Sequence, residues 1–225
     1  MIQILIGDKK HDIPTDWKDM TLEFWCKMYN VISKYVRRDE NGEIIEDISE
    51  SELEGARLNK DLFMALTGLS EKEMVDLDAN SVNQSVIYFH STLQQYKPKG
   101  ITEFTFEDEV YYFPKEFLKS NTFGDYIEAT HLEETVKVMK HGRFDILPEQ
   151  MAILCRRAGE EYDDDAIPEK TERFKQLKMD LVWEFAFFLT QQSVKLSKTF
   201  PIYSVENLDL QKEVEYLQKE FTINT

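Results

Sequence analysis

Residues 101–126 read ITEFTFEDEVYYFPKEFLKSNTFGDY, and the same order of parts already stands at residues 2–25, IQILIGDKKHDIPTDWKDMTLEFW. Each stretch opens as a short β-hairpin, passes an apolar-Pro pair (Ile13-Pro14, Phe113-Pro114) and reaches a Thr-led helix (Thr21-Leu22, Thr122-Phe123). The parallel continues downstream. LFMALTGLSEKE from Leu62 resembles QMAILCRRAGEE from Gln150, and the apolar helix around Ser85–Leu93 resembles the one around Trp183–Gln191. A fixed offset between like segments is the mark of a duplicated unit. The expected fold is therefore α+β and mostly helical: two related hairpin-plus-helices units, residues 1–97 and 98–195, and a C-terminal docking segment, residues 196–225.

Local signals fill in each unit. In the first hairpin, Ile2, Ile4 and Ile6 share one face by the two-residue period, around a turn at Gly7-Asp8-Lys9. From Thr21, a good helix cap, the stripe Leu22, Trp25, Met28, Tyr29, Ile32, Tyr35 and Val36 predicts a buried helix face. Residues 37–52 are highly charged. Their Asn41-Gly42 pair predicts a turn joining Val36–Arg38 to Ile44–Ile45, a feature without counterpart in the second unit. A helix over residues 51–66 stops at Gly68, and the capping box Ser70-x-x-Glu73 starts a short one. Val82, Val86, Phe89, Leu93 and Tyr96 then mark a longer helix ended by Pro98, where Lys97-Pro98-Lys99-Gly100 forms the boundary between units.

The second hairpin alternates Phe104 and Phe106 against Val110 and Tyr112 around Glu107-Asp108. Tyr126, Ala129, Leu132, Val136 and Met139 predict a helix, residues 148–158 another, and residues from Glu169 onward one long helix holding Phe174, Leu177, Leu181, Phe185 and Phe188. Finally Leu210, Val214, Leu217 and Phe221, spaced 4-3-4, predict an amphipathic helix made to lie in a groove. These four are the candidate partner-binding residues.

Composition narrows the function. With 42% hydrophobic and 12% aromatic residues, the chain can bury enough area to fold. Its net charge of −16 is evenly spread: residues 1–97 carry 11 basic and 18 acidic side chains, residues 98–195 carry 13 and 20, so each unit stands at −7. Nucleic-acid backbones require clustered cations, and basic doublets such as Arg37-Arg38 and Arg156-Arg157 stand far apart in an acidic chain, so direct nucleic-acid binding is not expected. No apolar run approaches the eighteen residues of a membrane span, and no membrane contact is expected. Cys26 and Cys155 are isolated thiols that suit a reducing compartment.

The search for chemistry returns no catalytic, cofactor or metal residues. His11, His90, His131 and His141 are scattered without the i, i+4 pairing of a zinc helix, and neither a phosphate-binding glycine loop nor a GxSxG elbow is present. The acidic run Glu160, Glu161, Asp163, Asp164, Asp165 lacks the alternate spacing and central glycine of a calcium loop, and reads as solvated. No enzyme activity, cofactor or small-molecule substrate is expected.

Two soft motifs remain: I-P-T-x-W-x-x-x-T at residues 13–21, and the block LPEQMAILCRRAGEEYDDDAIPEKTERFKQLKMDLVWEFAFFLTQQSV from Leu147. Together with the preceding hairpin and TFGDYIE, they resemble small proteins encoded among the virion and tail genes of tailed bacteriophages, crAss-like phages included. The resemblance covers residues 1–195 and carries no site residues. It implies a non-enzymatic virion component of the tail, portal-proximal region or internal cargo, present in several copies, contacting other virion proteins, and located in host cytoplasm and then in the particle. A tail-assembly chaperone that leaves before maturation is the alternative.

Overall fold

In a computed structural model that describes residues 1–6, 8–39, 44–47, 51–92, 96–114 and 144–199, the chain is α+β and mostly helical, with small antiparallel sheets. Strands β1 (Ile2–Ile6) and β2 (Lys9–Ile13) pair antiparallel with Ile2 opposite Ile13 and Ile6 opposite Lys9. Ile4 and Ile6 pack on the core from one face while Leu5 points to solvent. Helix α1 (Leu22–Ile32) starts where its cap predicts: Thr21 Oγ1 accepts from the Phe24 amide at 3.2 Å. Its Leu22, Trp25, Met28 and Tyr29 are buried, but it ends at Ile32, so Tyr35 and Val36 of the expected stripe lie beyond it, Val36 at the start of a strand.

Within the charged insertion, β3 (Val36–Arg38) and β4 (Ile44–Asp47) pair antiparallel, with a register shift between Arg37 and Arg38, while Asn41 and Gly42 lie outside the described residues. Helix α2 (Glu52–Thr67) ends at Gly68, whose φ of 71° is the left-handed conformation that glycine adopts without strain. Helix α3 (Glu71–Met74) forms the predicted capping box. Helix α4 (Ala79–Thr92) follows, its Ser81 amide held by the Asp78 carboxylate at 2.8 Å, and buries Val82, Val86 and Phe89.

In the second hairpin, β5 (Glu103–Phe106) and β6 (Glu109–Tyr112), the structure corrects the expected facing. Phe104 lies opposite Tyr111, both buried, and Val110 is 41% exposed. Glu107 and Asp108 both have positive φ, 50° and 62°, so they form a two-residue turn that pairs Phe106 with Glu109 and puts odd residues of β6 inside. Both hairpins end alike, burying Ile13 and Phe113 ahead of their prolines.

In the second half of the chain, two predicted helices are shorter than expected. Helix α5 (Leu147–Leu154) stops at an extended Cys155, and Arg156–Arg157 form β7, a third strand on β6, instead of a last helical turn. The long helix predicted from Glu169 is two: α6 (Ile167–Phe174) and α7 (Met179–Thr199). The break has a visible cause. Carbonyls of Leu177 and Lys175 turn outward to accept from the amides of Leu22 (2.8 Å) and Glu23 (2.9 Å), while the Met179 amide donates to the Met20 carbonyl (3.0 Å). Two helix starts thus satisfy each other's free backbone groups.

One hydrophobic core draws on residues from both sides of residue 97. At its centre Trp17 meets Trp25 edge-on at 5.0 Å and Trp183 at 5.3 Å, and Phe144 closes on Trp25 and Trp183. Such edge-to-face contacts each add roughly 0.5–1.5 kcal/mol beyond area burial. The helix predicted from Thr122, Tyr126 within it, and the C-terminal helix lie outside the described residues.

Candidate functional site

The acidic run divides into two parts. Asp163, Asp164 and Asp165 are exposed, and Asp163 caps a 3-10 turn by accepting from the Asp165 amide at 3.0 Å. Glu160 instead turns inward. It accepts from Lys170 Nζ at 2.8 Å and from the backbone amide of Arg157 at 2.7 Å, contacts that outweigh its burial and hold its carboxyl below the usual carboxylate range. Lys170, itself buried, also donates to the Cys155 carbonyl at 2.6 Å and lies 5.3 Å from the Tyr111 ring centroid.

From there an ion-pair chain runs to the second hairpin. Arg157 binds Glu160 and Glu109, and Arg173 binds Glu109 (3.0 Å) and Glu107 (2.7 Å). Arg173, with Tyr111 and Arg157 behind it, takes the Glu109 carboxyl down to about 2. The cleft between Ala152, Ile153, Arg156, Tyr162, Ile167 and Lys170 has a volume of about 130 Å³, well under the ~300–1,000 Å³ typical of small-molecule sites. This chemistry ties hairpin, β7 and α6 together; it is a brace.

A second charged group sits deeper. Glu184 on α7 is 2% exposed, and its carboxylate accepts from Tyr96 Oη (2.5 Å) and from the backbone amides of Lys99 (2.6 Å), Gly100 (2.9 Å) and Ile101 (3.3 Å). Burial pushes its pKa up, but the hydroxyl and three amides together bring it below the ordinary value. Gly100, at φ 70°, allows the successive amides to converge. The segment read as a boundary between units is thus clamped to α7.

The thiols and imidazoles stay apart. Burial raises both thiols, Cys26 to about 12, so neither is a thiolate near neutral pH. His11 Nδ1 lies 2.8 Å from the Thr67 carbonyl, and His90 is half-buried, with its Nδ1 out of contact with water and without a hydrogen bond. Burial lowers its pKa to about 4. Among the described residues no group of three His, Cys, Asp or Glu could hold a metal ion, and no helix is long and apolar enough to cross a membrane. Leu210, Val214, Leu217 and Phe221 lie outside the described residues, as do His131 and His141.

The surface that stands out is one that motif reading missed. In a chain where 31% of residues are charged, residues 79–96 contain no Asp, Glu, Lys or Arg. Helix α4 occupies most of that run. Its inner face packs on α2, where Asn59 Nδ2 donates to Asn83 Oδ1 at 3.2 Å. Its outer face presents Asn80, Ser81, Gln84, Ile87, Tyr88 and Ser91, all exposed, with Ile87 at 49% and Tyr88 at 45%. Solvated helix faces are ordinarily charged. Depletion of charge around exposed Tyr and Ile is the composition of a protein–protein interface. A scan for charge-free runs finds it; a scan for catalytic motifs does not.

Comparison with protein-family models, characterised proteins and solved structures finds no match to this chain.

Proposed function

We propose that the protein is a non-enzymatic component of a tailed-phage virion that works through protein–protein contacts in a multi-copy assembly, with the outer face of α4 as its docking surface. The observation that carries this reading is the charge-free, half-exposed Ile87-Tyr88 face on an otherwise strongly acidic molecule. A face without charge can be dehydrated cheaply, because neutral amides and hydroxyls lose far less on leaving water than carboxylates do. The bonds from Tyr96 and the amides of Lys99, Gly100 and Ile101 to Glu184 anchor the chain just beyond α4, which lowers the ordering entropy that docking there would cost. The resemblance of residues 1–195 to tail-region proteins supplies the setting.

The test is a mass-spectrometric census of purified particles from a phage encoding this chain, run beside the variant Ile87→Glu/Tyr88→Glu. The reading expects the chain in particles at a fixed copy number, and the variant depleted from them although folded in lysate. Wild-type chain abundant in lysate and missing from particles would instead make it an assembly chaperone.

A further inference from the structure

Resting on that reading, we propose that the occupant of the α4 face is a second copy of this chain, with the two α4 helices packed antiparallel about a two-fold axis. Charge chooses the partner. Two molecules of net charge −16 repel wherever their carboxylates meet, and α4 is a surface on which neither carries a charge. A basic partner would gain nothing there and would settle on an acidic face instead.

The face is also chemically complementary to itself. Asn80, Gln84 and Ser91 each bear both donor and acceptor atoms, so a copy of the same stripe can satisfy them, as an isologous contact requires. Antiparallel pairing about the middle of the stripe sets Gln84 beside the second copy's Ile87, and Asn80 beside its Ser91. The aliphatic part of Gln84 then covers Ile87 from water. Fourteen residues of helix give a small interface, below about 1,200 Å², which places the isolated pair in the weak class. In an array of copies, high local concentration strengthens the same contact.

Sedimentation velocity of the full chain over a concentration series tests this. The expected result is a concentration-dependent monomer–dimer equilibrium, weakened roughly tenfold or more by Ile87→Glu/Tyr88→Glu with an unchanged circular dichroism spectrum. A charge pair of variants tests the geometry: Gln84→Lys/Ile87→Lys and Gln84→Glu/Ile87→Glu should each be monomeric alone and should dimerise when mixed. A wild-type chain monomeric at every concentration, or a dimer indifferent to these substitutions, overturns the self-pairing. Depletion of Ile87→Glu/Tyr88→Glu from particles would then still stand as evidence for the docking surface, so the two ideas fail separately.

Discussion

Tyr96 and Glu184, eighty-eight residues apart in the chain, meet in a 2.5 Å hydrogen bond that fastens the segment after α4 to the second turn of α7. The carboxylate is buried, so its four donors are what make its presence tolerable; isolated in the core, an ionised carboxyl costs several kcal/mol. The consequence reaches α4, because the clamp fixes the chain just beyond the proposed docking helix.

Glu184→Gln places an amide N–H₂ where one oxygen now accepts, setting donor against donor. The expected loss is about 2–4 kcal/mol, read as a lower urea midpoint with unchanged slope. Sign also matters. The folded pKa of Glu184 lies below the unfolded value of 4.5, so its contribution is complete above 4.5 and disappears as pH falls through the folded pKa; Glu184→Gln should lack that part of the acid dependence.

His90 gives a second pH signature. Its pKa falls from 6.5 in the unfolded chain to about 4 in the folded one through burial, so between those values the unfolded chain takes up a proton that the folded chain refuses. Stability should therefore drop as pH falls from 6.5 toward 4, by on the order of 3 kcal/mol. His90→Leu should flatten that slope, measured as urea midpoints across the pH series.

Asp108 occupies the left-handed region at φ 62°, as does Glu107 at 50°. Glu107 is committed to Arg173, so relief is open only at its neighbour. Asp108→Gly should stabilise the chain by up to about 1 kcal/mol, a rise of about 2–4 °C in Tm for a protein of this size.

The two parts of the acidic run should answer differently to substitution. Replacing Asp163, Asp164 and Asp165 together by Asn should change stability by less than about 0.5 kcal/mol, since Asn caps as well as Asp and all three are exposed. Lys170→Ala leaves the Cys155 carbonyl without this donor and Glu160 with Arg157 alone, and should lose about 1–3 kcal/mol in the same denaturation assay.

Much of this fold was legible from local chemistry. Caps at Thr21 and Ser70, the stop at Gly68 and the pairing of Val36–Arg38 with the strand from Ile44 join groups close in sequence, and spacing reports them directly. What escaped was set at long range. The break between α6 and α7 exists because carbonyls near Leu177 serve the start of α1, more than 150 residues earlier, and a continuous apolar period at Phe174, Leu177 and Leu181 hides it. Arg156–Arg157 likewise became a strand because β6 offered an edge, overriding their helix propensity. The inward turn of Phe104 and Tyr111 depended on a turn type that Glu107-Asp108 does not announce, lacking glycine. The α4 surface was visible in the letters, as an absence of charge, but motif scanning looks for what is present.

Hydroxyl-radical footprinting of Tyr88 against Tyr162 tests the docking surface most directly. The two phenols are matched in exposure, 45% and 42%, but only Tyr88 lies on the face that the assembly should cover. In dilute free chain both should label at similar rates; in purified particles Tyr88 should be protected several-fold while Tyr162 stays reactive. Equal labelling of the two in the particle, or protection of Tyr162 alone, would contradict the account.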